Sequence, residues 1–159
     1  MADALNTGLT AKQRGEIAAS LNKVLADSYA LYLKTHGYHW NVRGPNFQSL
    51  HVLLEGQYQE EWAALDDIAE RIRALGELAP QGYAAFGNLS SIKDGNPEND
   101  WEAMLSELKA DNETVIRTLR DAFPIADEAG DEATADLLTQ RLQAHEKHAW
   151  MIRSTLGSK

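Results

Sequence analysis

The sequence predicts an all-α protein, a four-helix bundle with one long crossover that carries a short helix between the second and third long helices. Two observations carry this. Apolar residues recur with helical spacing in four long segments, and no segment alternates with period two. Hydrophobic residues make up 43% of 159 residues, enough for one sizeable core and one domain spanning 1–159.

The first helix is expected from about Thr10 to Val42, after a short N-terminal tail over 1–9. Thr10 and Gln13 have the spacing of a capping box, with the threonine bonding forward and the glutamine back. Ile17, Leu21, Val24, Leu25, Leu31 and Tyr32 form its apolar stripe. Gly44-Pro45-Asn46 stops this helix, because proline disfavours helical geometry in the residue before it. The second helix is expected from about Asn46 to Leu75, with Phe47, Leu50, Leu54, Tyr58, Leu65, Ile68, Ile72 and Leu75 inward and Gly76 closing it. Residues 77–97 hold Pro80, Gly82, Gly87, Gly95 and Pro97, so they read as the crossover. Tyr83, Phe86, Leu89 and Ile92 fit one short amphipathic helix within it. Such a connection makes the second and third long helices parallel. Asp100 caps the third long helix, whose stripe is Trp101, Met104, Leu105, Leu108, Val115 and Leu119, and Pro124 is expected to end it. The fourth runs from about Asp131 to Leu156, with Leu138, Leu142, Ala149, Ile152 and Leu156 inward. This order is the ferritin-like connectivity of a four-helix bundle.

Composition excludes several classes of function. There is no Cys, so disulfides, thiolate metal sites and thiol nucleophiles are absent. No run of 18 apolar residues is present to span a membrane. The first residues lack a basic region and an apolar run, so export is not expected and the cytoplasm is the expected compartment. The net charge of −9 opposes passive binding to phosphate backbones. Lys12 and Arg14 are the only cations among residues 1–16, against Asp3 and Glu16.

The chemistry lies on a second stripe of the second helix: His51, Glu55, Trp62, Asp66 and Glu70. It runs about 100° around the helix from the core stripe. His51/Glu55 and Asp66/Glu70 are i,i+4 pairs, and each can converge on one ion. Glu55 and Asp66 share a face but are separated by roughly 16 Å of rise, too far for one ion within one helix. A two-fold axis crossing this face brings the first pair of one chain against the second pair of its mate, twice over. Intersubunit metal sites at a dimer interface are therefore expected. His39 precedes the tight turn and His51 follows it, so an antiparallel hairpin sets their rings at a similar level. The mixed N/O donor set suits Fe(II) and tolerates Zn(II), Mn(II) or Co(II). Trp62 is expected to pack, His36 is a weaker ligand candidate than His39, and His145 falls on the core stripe of the fourth helix. Glu-x-x-His is absent, which argues against a diiron site of the usual kind inside the bundle.

The run His39-Trp40-Asn41-Val42-Arg43-Gly44-Pro45-Asn46-Phe47-Gln48-Ser49-Leu50-His51 resembles the signature of the Dps family of miniferritins. Asp66-Asp67-Ile68-Ala69-Glu70-Arg71 is similar to that family's second block, and 129–136 and 147–151 are similar to its last-helix patterns. The resemblance covers roughly residues 10–157. It implies a hollow dodecamer with a ferroxidase centre at each dimer interface, to which one chain gives His39, His51 and Glu55 and the mate gives Asp66 and Glu70. It implies oxidation of Fe(II), preferentially by hydrogen peroxide, storage of ferric mineral, and protection against oxidative damage, with zinc as a substitute ion. It implies that Trp40 stands beside the centre as an electron donor, and that Asp127, Glu132 and Asp136 line three-fold iron pores. The chain departs from the pattern at Glu55, where many members carry Asp, so the acid is kept on a longer arm. The family's other activity, DNA binding and nucleoid compaction, is the alternative function, and the tail charges speak against it.

Overall fold

A computed structural model describes residues 5–158. Residues 1–4 of the expected tail, and Lys159, lie outside the described residues. The elements are α1 (Ala11–Asn41), α2 (Phe47–Ala74), α3 (Tyr83–Leu89), α4 (Trp101–Glu128) and α5 (Glu132–Thr155), with no strand among the described residues. None of these helices is long and apolar enough to cross a membrane.

The helix ends follow the local chemistry. The Thr10 hydroxyl accepts from the Gln13 amide (3.3 Å), and the Gln13 side chain accepts from the Thr10 amide (2.9 Å). Asp100 accepts from the Ala103 amide at 2.8 Å. At the end of α2, Gly76 takes φ +91°, a left-handed conformation that a Cβ penalises, and Glu77 N–H returns to the Ile72 carbonyl.

α1 packs on α2 and α4, and α5 packs on α4 and α2, which leaves α2 and α4 on a diagonal. Arg43 bonds Glu98, and Gly44 lies against the Trp101 ring, so α4 starts at the end of the bundle where α2 starts. The two run parallel, as the crossover requires. Arg71 near the end of α2 pairs with Asp131 at the start of α5 (2.8 Å), which returns the chain antiparallel.

Three apolar assignments differ. Phe47 is 45% exposed, Tyr83 is 90% exposed and Leu89 is 36% exposed. Phe47 opens its helix beside the turn, where the bundle has ended. In the crossover only Phe86 docks firmly, stacking on Tyr29 (4.5 Å between centroids), and Ile92 packs on the core from beyond the end of α3. The expectation that Pro124 ends its helix is overturned, because α4 continues to Glu128. The proline stands on the exposed face, and the turn beyond it buries Ala126 completely. That burial, with Asp131 N–H closing on the Ala126 carbonyl (2.9 Å), offsets the one amide lost.

Asp27 fastens the crossover to the bundle. It is fully buried, and its carboxylate accepts from the Ser91 amide (2.6 Å), the Thr118 hydroxyl (2.7 Å), the Ser90 hydroxyl (3.1 Å) and Lys23 (3.3 Å). Tyr38 adds a second anchor. Its hydroxyl donates to Glu107 and accepts from the Asn96 amide (3.1 Å), while burial and the Glu107 bond push its pKa up to about 12.

The middle of the core is polar. Glu61, Asn112 and His145 are each at most 2% exposed, with Arg141 and His148 packed beside them. Burial pushes the Glu61 carboxyl up from its ordinary value. Burial, reinforced by Arg141 and His148, holds the His145 imidazole well below its own.

Candidate metal centre

The tight turn between α1 and α2 sets His39 and His51 face to face. The rings stack with centroids 3.7 Å apart and planes 20° apart. His39 Nδ1 stands 2.9 Å from the His51 carbonyl, and His51 Nδ1 stands 2.9 Å from the His39 carbonyl. A carbonyl only accepts, so each Nδ1 carries the proton and each Nε2 keeps its lone pair. That reciprocal bond fixes both tautomers and orients both rings, as ligating imidazoles are usually held. His39 is buried and His51 half-buried, so the pair opens toward the surface.

Glu55 lies one turn further along α2, half-buried, with Gln59 within 3.4 Å of its carboxylate. Asp66 and Glu70 lie on the exposed surface of α2, as do Trp62 (59% exposed) and Asp67. The chain therefore brings His39 and His51 together with Glu55 a turn away, and leaves Asp66 and Glu70 pointing away from the core on the rest of the same ridge. Trp62, expected to pack, is mainly exposed, with one face toward Tyr32 (5.3 Å).

His36 is more embedded than its sequence context suggested. Its ring stacks on Tyr58 (3.9 Å), stands 4.3 Å from Trp40 and shares a 3.2 Å hydrogen bond with Tyr32. Burial, and then the neighbouring His39, lower its pKa. Trp40 is 66% exposed and meets His36 rather than the stacked pair, so it stands at the edge of an aromatic cluster beside the site.

At the turn between α4 and α5, Asp127, Glu132 and Asp136 surround one surface hollow of about 180 Å³, with Phe123 and Thr139 also lining it. All three acids are exposed. Asp131, between them, is buried and structural, since it caps α5 through the Thr134 amide and pairs with Arg71. Desolvation raises the Asp131 carboxyl, but the bonds from Thr134 and Arg71 outweigh it and the pKa is lowered.

Among the described residues, the His, Asp and Glu donors that already converge within one chain are elsewhere. Glu61, His145 and His148 place one ligand atom each within 4.8 Å of one another, inside the bundle. Glu61 escaped the sequence reading because neighbouring acids mask it, but there was a signal. Leu54, Glu61, Ile68 and Leu75 form a ladder of sevens with one carboxylate among its apolar rungs.

Comparison with known proteins identifies the family of the chain. The model of the ferritin-like domain matches residues 18–158. The chain is 42% identical over 152 residues to a low temperature-induced protein of Nostoc sp., covering 94% of this chain and 85% of that one. It is 38% identical to the DNA protection during starvation protein of Brevibacillus brevis, over 88% of this chain and 94% of the relative. The Dps protein of Vibrio cholerae O1, described as a member of a superfamily of ferritin-like diiron-carboxylate proteins, superposes with a TM-score of 0.92 at 30% identity, over 98% of this chain and 99% of that one. With the tight turn, the stacked histidines and the parallel crossover all in place, the chain belongs to the Dps family of ferritin-like proteins.

Proposed function

We propose that this protein is a ferroxidase and iron store, which oxidises Fe(II) at a centre shared by two chains and holds the ferric product inside a dodecameric shell. The observation that carries the reading is the reciprocal bonding of His39 and His51. It leaves two preset Nε2 lone pairs at the mouth of a carboxylate-lined ridge. The diiron-carboxylate relative supports iron as the substrate.

One chain alone offers too few donors. His39, His51 and Glu55 form one half, and Asp66 with Glu70, roughly three to four turns further along α2, forms the other. Antiparallel pairing of two α2 ridges supplies both halves to both centres. The carboxylates balance the charge of the incoming cations, and the imidazoles keep one ion fixed. With hydrogen peroxide as oxidant, two ferrous ions each give one electron, the O–O bond breaks, and two protons complete two waters. Glu55 and its neighbouring carboxylates are placed to hold those protons. Trp40, through His36 and Tyr58, supplies an electron to a stray oxidant before it leaves. The hollow formed by Asp127, Glu132 and Asp136, repeated around a three-fold axis, draws Fe(II) inward by its negative field.

Mixed assembly tests the shared centre. His51→Ala and Glu70→Ala shells each lose peroxide-dependent iron oxidation. In shells assembled from equal parts of both, half of the dimers are mixed and each of those keeps one intact centre. About a quarter of the centres then work, if pairing is random. Recovery near that level supports the reading, and no recovery in assembled shells refutes it. A gel shift at physiological salt tests the alternative, and strong retardation of DNA overturns the charge argument.

A further inference from the structure

The polar layer in the middle of the bundle is unusual for its register. In α2 the rungs Leu54, Glu61, Ile68 and Leu75 are spaced by sevens. In α4 the rungs are Leu105, Asn112 and Leu119, and in α5 they are Leu138, His145 and Ile152. Each ladder is apolar except at one rung, and the fold sets those three rungs at one level. His145 Nδ1 meets Asn112 Oδ1 at 3.0 Å across α4 and α5, and His148 Nδ1 stands 3.7 Å from Glu61 Oε1 across α2 and α5.

The layer is under-satisfied as it stands. Both carboxylate oxygens of Glu61 and Nδ1 of His148 are buried without a hydrogen-bond partner, as is the amide of Gln57 one turn before Glu61. A buried carboxylate without donors is among the costliest groups a core can hold. The polar groups around it are engaged in part, and Arg141 Nε is itself buried without a partner. Arg141 bonds both oxygens of Glu60, and its second amino group donates to His145 Nε2 at 3.2 Å. The Asn112 oxygen accepts from His145 Nδ1, which fixes the lone pair of this ring on Nε2, facing the layer.

We propose that Glu61, His145 and His148 form a second divalent-metal site, inside each chain and separate from the interfacial centre. The donor set of two imidazoles and one carboxylate is the one Zn²⁺ takes when three protein ligands leave a fourth position to water. The unpartnered carboxylate of Glu61 and Nδ1 of His148 face one another across the gap an ion fills. Asn112 acts from behind, holding the His145 ring as a ligand. Arg141 gives up its contact with His145 Nε2 and keeps its bidentate pair with Glu60, so the guanidinium stays neutralised. With both imidazoles neutral, Glu60, Glu61 and Arg141 sum to one negative charge, which favours a cation. The site needs no second chain, so it stands or falls independently of the interfacial reading.

The test uses assembled shells carrying His39→Ala and His51→Ala, which strip the imidazoles from the interface and leave the interior intact. Co²⁺ is added as a spectroscopic probe, followed by Zn²⁺ as competitor. The expected result is one Co²⁺ per chain with the visible absorption of a low-coordinate N/O site, displaced by Zn²⁺. Adding Glu61→Gln or His148→Gln, near in shape to the originals, abolishes that spectrum while helicity and shell size persist. Zn²⁺ raises the melting temperature only where the three donors are intact. A background shell that binds no Co²⁺, or one whose spectrum survives both substitutions, overturns the proposal and leaves the layer a register-setting polar network. Should a substituted shell fail to assemble, Asn112→Ala supplies the second variant: weakened Co²⁺ affinity in folded shells supports the site, and unchanged affinity counts against it.

Discussion

Replacing Asp27 with Ala tests how the crossover is held, and the structure sets the size of the effect. Four donors converge on this carboxylate, but they do not lose equally. Lys23 is more than a third exposed and keeps the Leu89 carbonyl (2.8 Å), and Ser90 lies near enough to the surface to find water. Thr118 retains a weaker bond to the Thr114 carbonyl at 3.2 Å. The Ser91 amide loses the shortest of the four bonds, at 2.6 Å. The buried Thr118 hydroxyl and the part-buried Ser91 amide lose their best acceptor, and at about 1–3 kcal/mol for a buried group left unsatisfied a loss of roughly 1–3 kcal/mol is expected. Asp27→Asn keeps an acceptor for Ser91, and the Thr118 hydroxyl can turn to accept, so about half that loss is expected. Urea unfolding followed by circular dichroism reads the difference, and amide exchange at Ser91 reads whether the crossover opens first. An Ala variant that loses less than about 1 kcal/mol, or an Asn variant as damaged as Ala, refutes the reasoning.

The other predictions concern neighbouring devices. Gly95→Ala sets a Cβ 2.6 Å from the Tyr38 hydroxyl and 2.7 Å from its ring carbon, and Tyr38 is pinned by Glu107 and Asn96. A drop in stability of about 1–3 kcal/mol by thermal unfolding is expected, and an unchanged melting point refutes the clash. Asp131 has a lowered pKa in the folded chain, so its contribution is full above the ordinary value of 3.8 and is lost as pH falls through the lowered one. Asp131→Asn is therefore expected to lower stability at neutral pH and to flatten the acid loss below 3.8, as read by urea midpoints against pH. Asp127→Asn with Asp136→Asn is expected to slow Fe(II) entry several-fold at low ionic strength, with the difference shrinking as salt is added. Stopped-flow iron oxidation checks this, and an equal rate at all salt concentrations removes the pore role.

Much of the fold was legible because its signals are local. The capping box at Thr10, the Asp100 cap, the Gly76 stop and the apolar stripes each depend on residues within a turn or two of one another. Pro124 misled because a local rule met a tertiary counterweight: the turn after it buries Ala126 in the core. Tyr83 and Leu89 misled because an amphipathic spacing does not say how much surface a seven-residue helix can cover.

For the site, sequence by itself determined the donor types and their spacing along α2. It also fixed the argument that Glu55 and Asp66 are too far apart for one ion, since helical rise is a property of the backbone alone. Tertiary structure decided what no single helix contains. It chose which ring nitrogens of His39 and His51 are free, because that depends on carbonyls contributed across a turn. It also decided that Glu61, Asn112 and His145, each a solitary polar rung on its own helix, share one buried layer. Periodicity marks each rung, but only the packing register brings three rungs to one height, and that register is set by every side chain in the core at once.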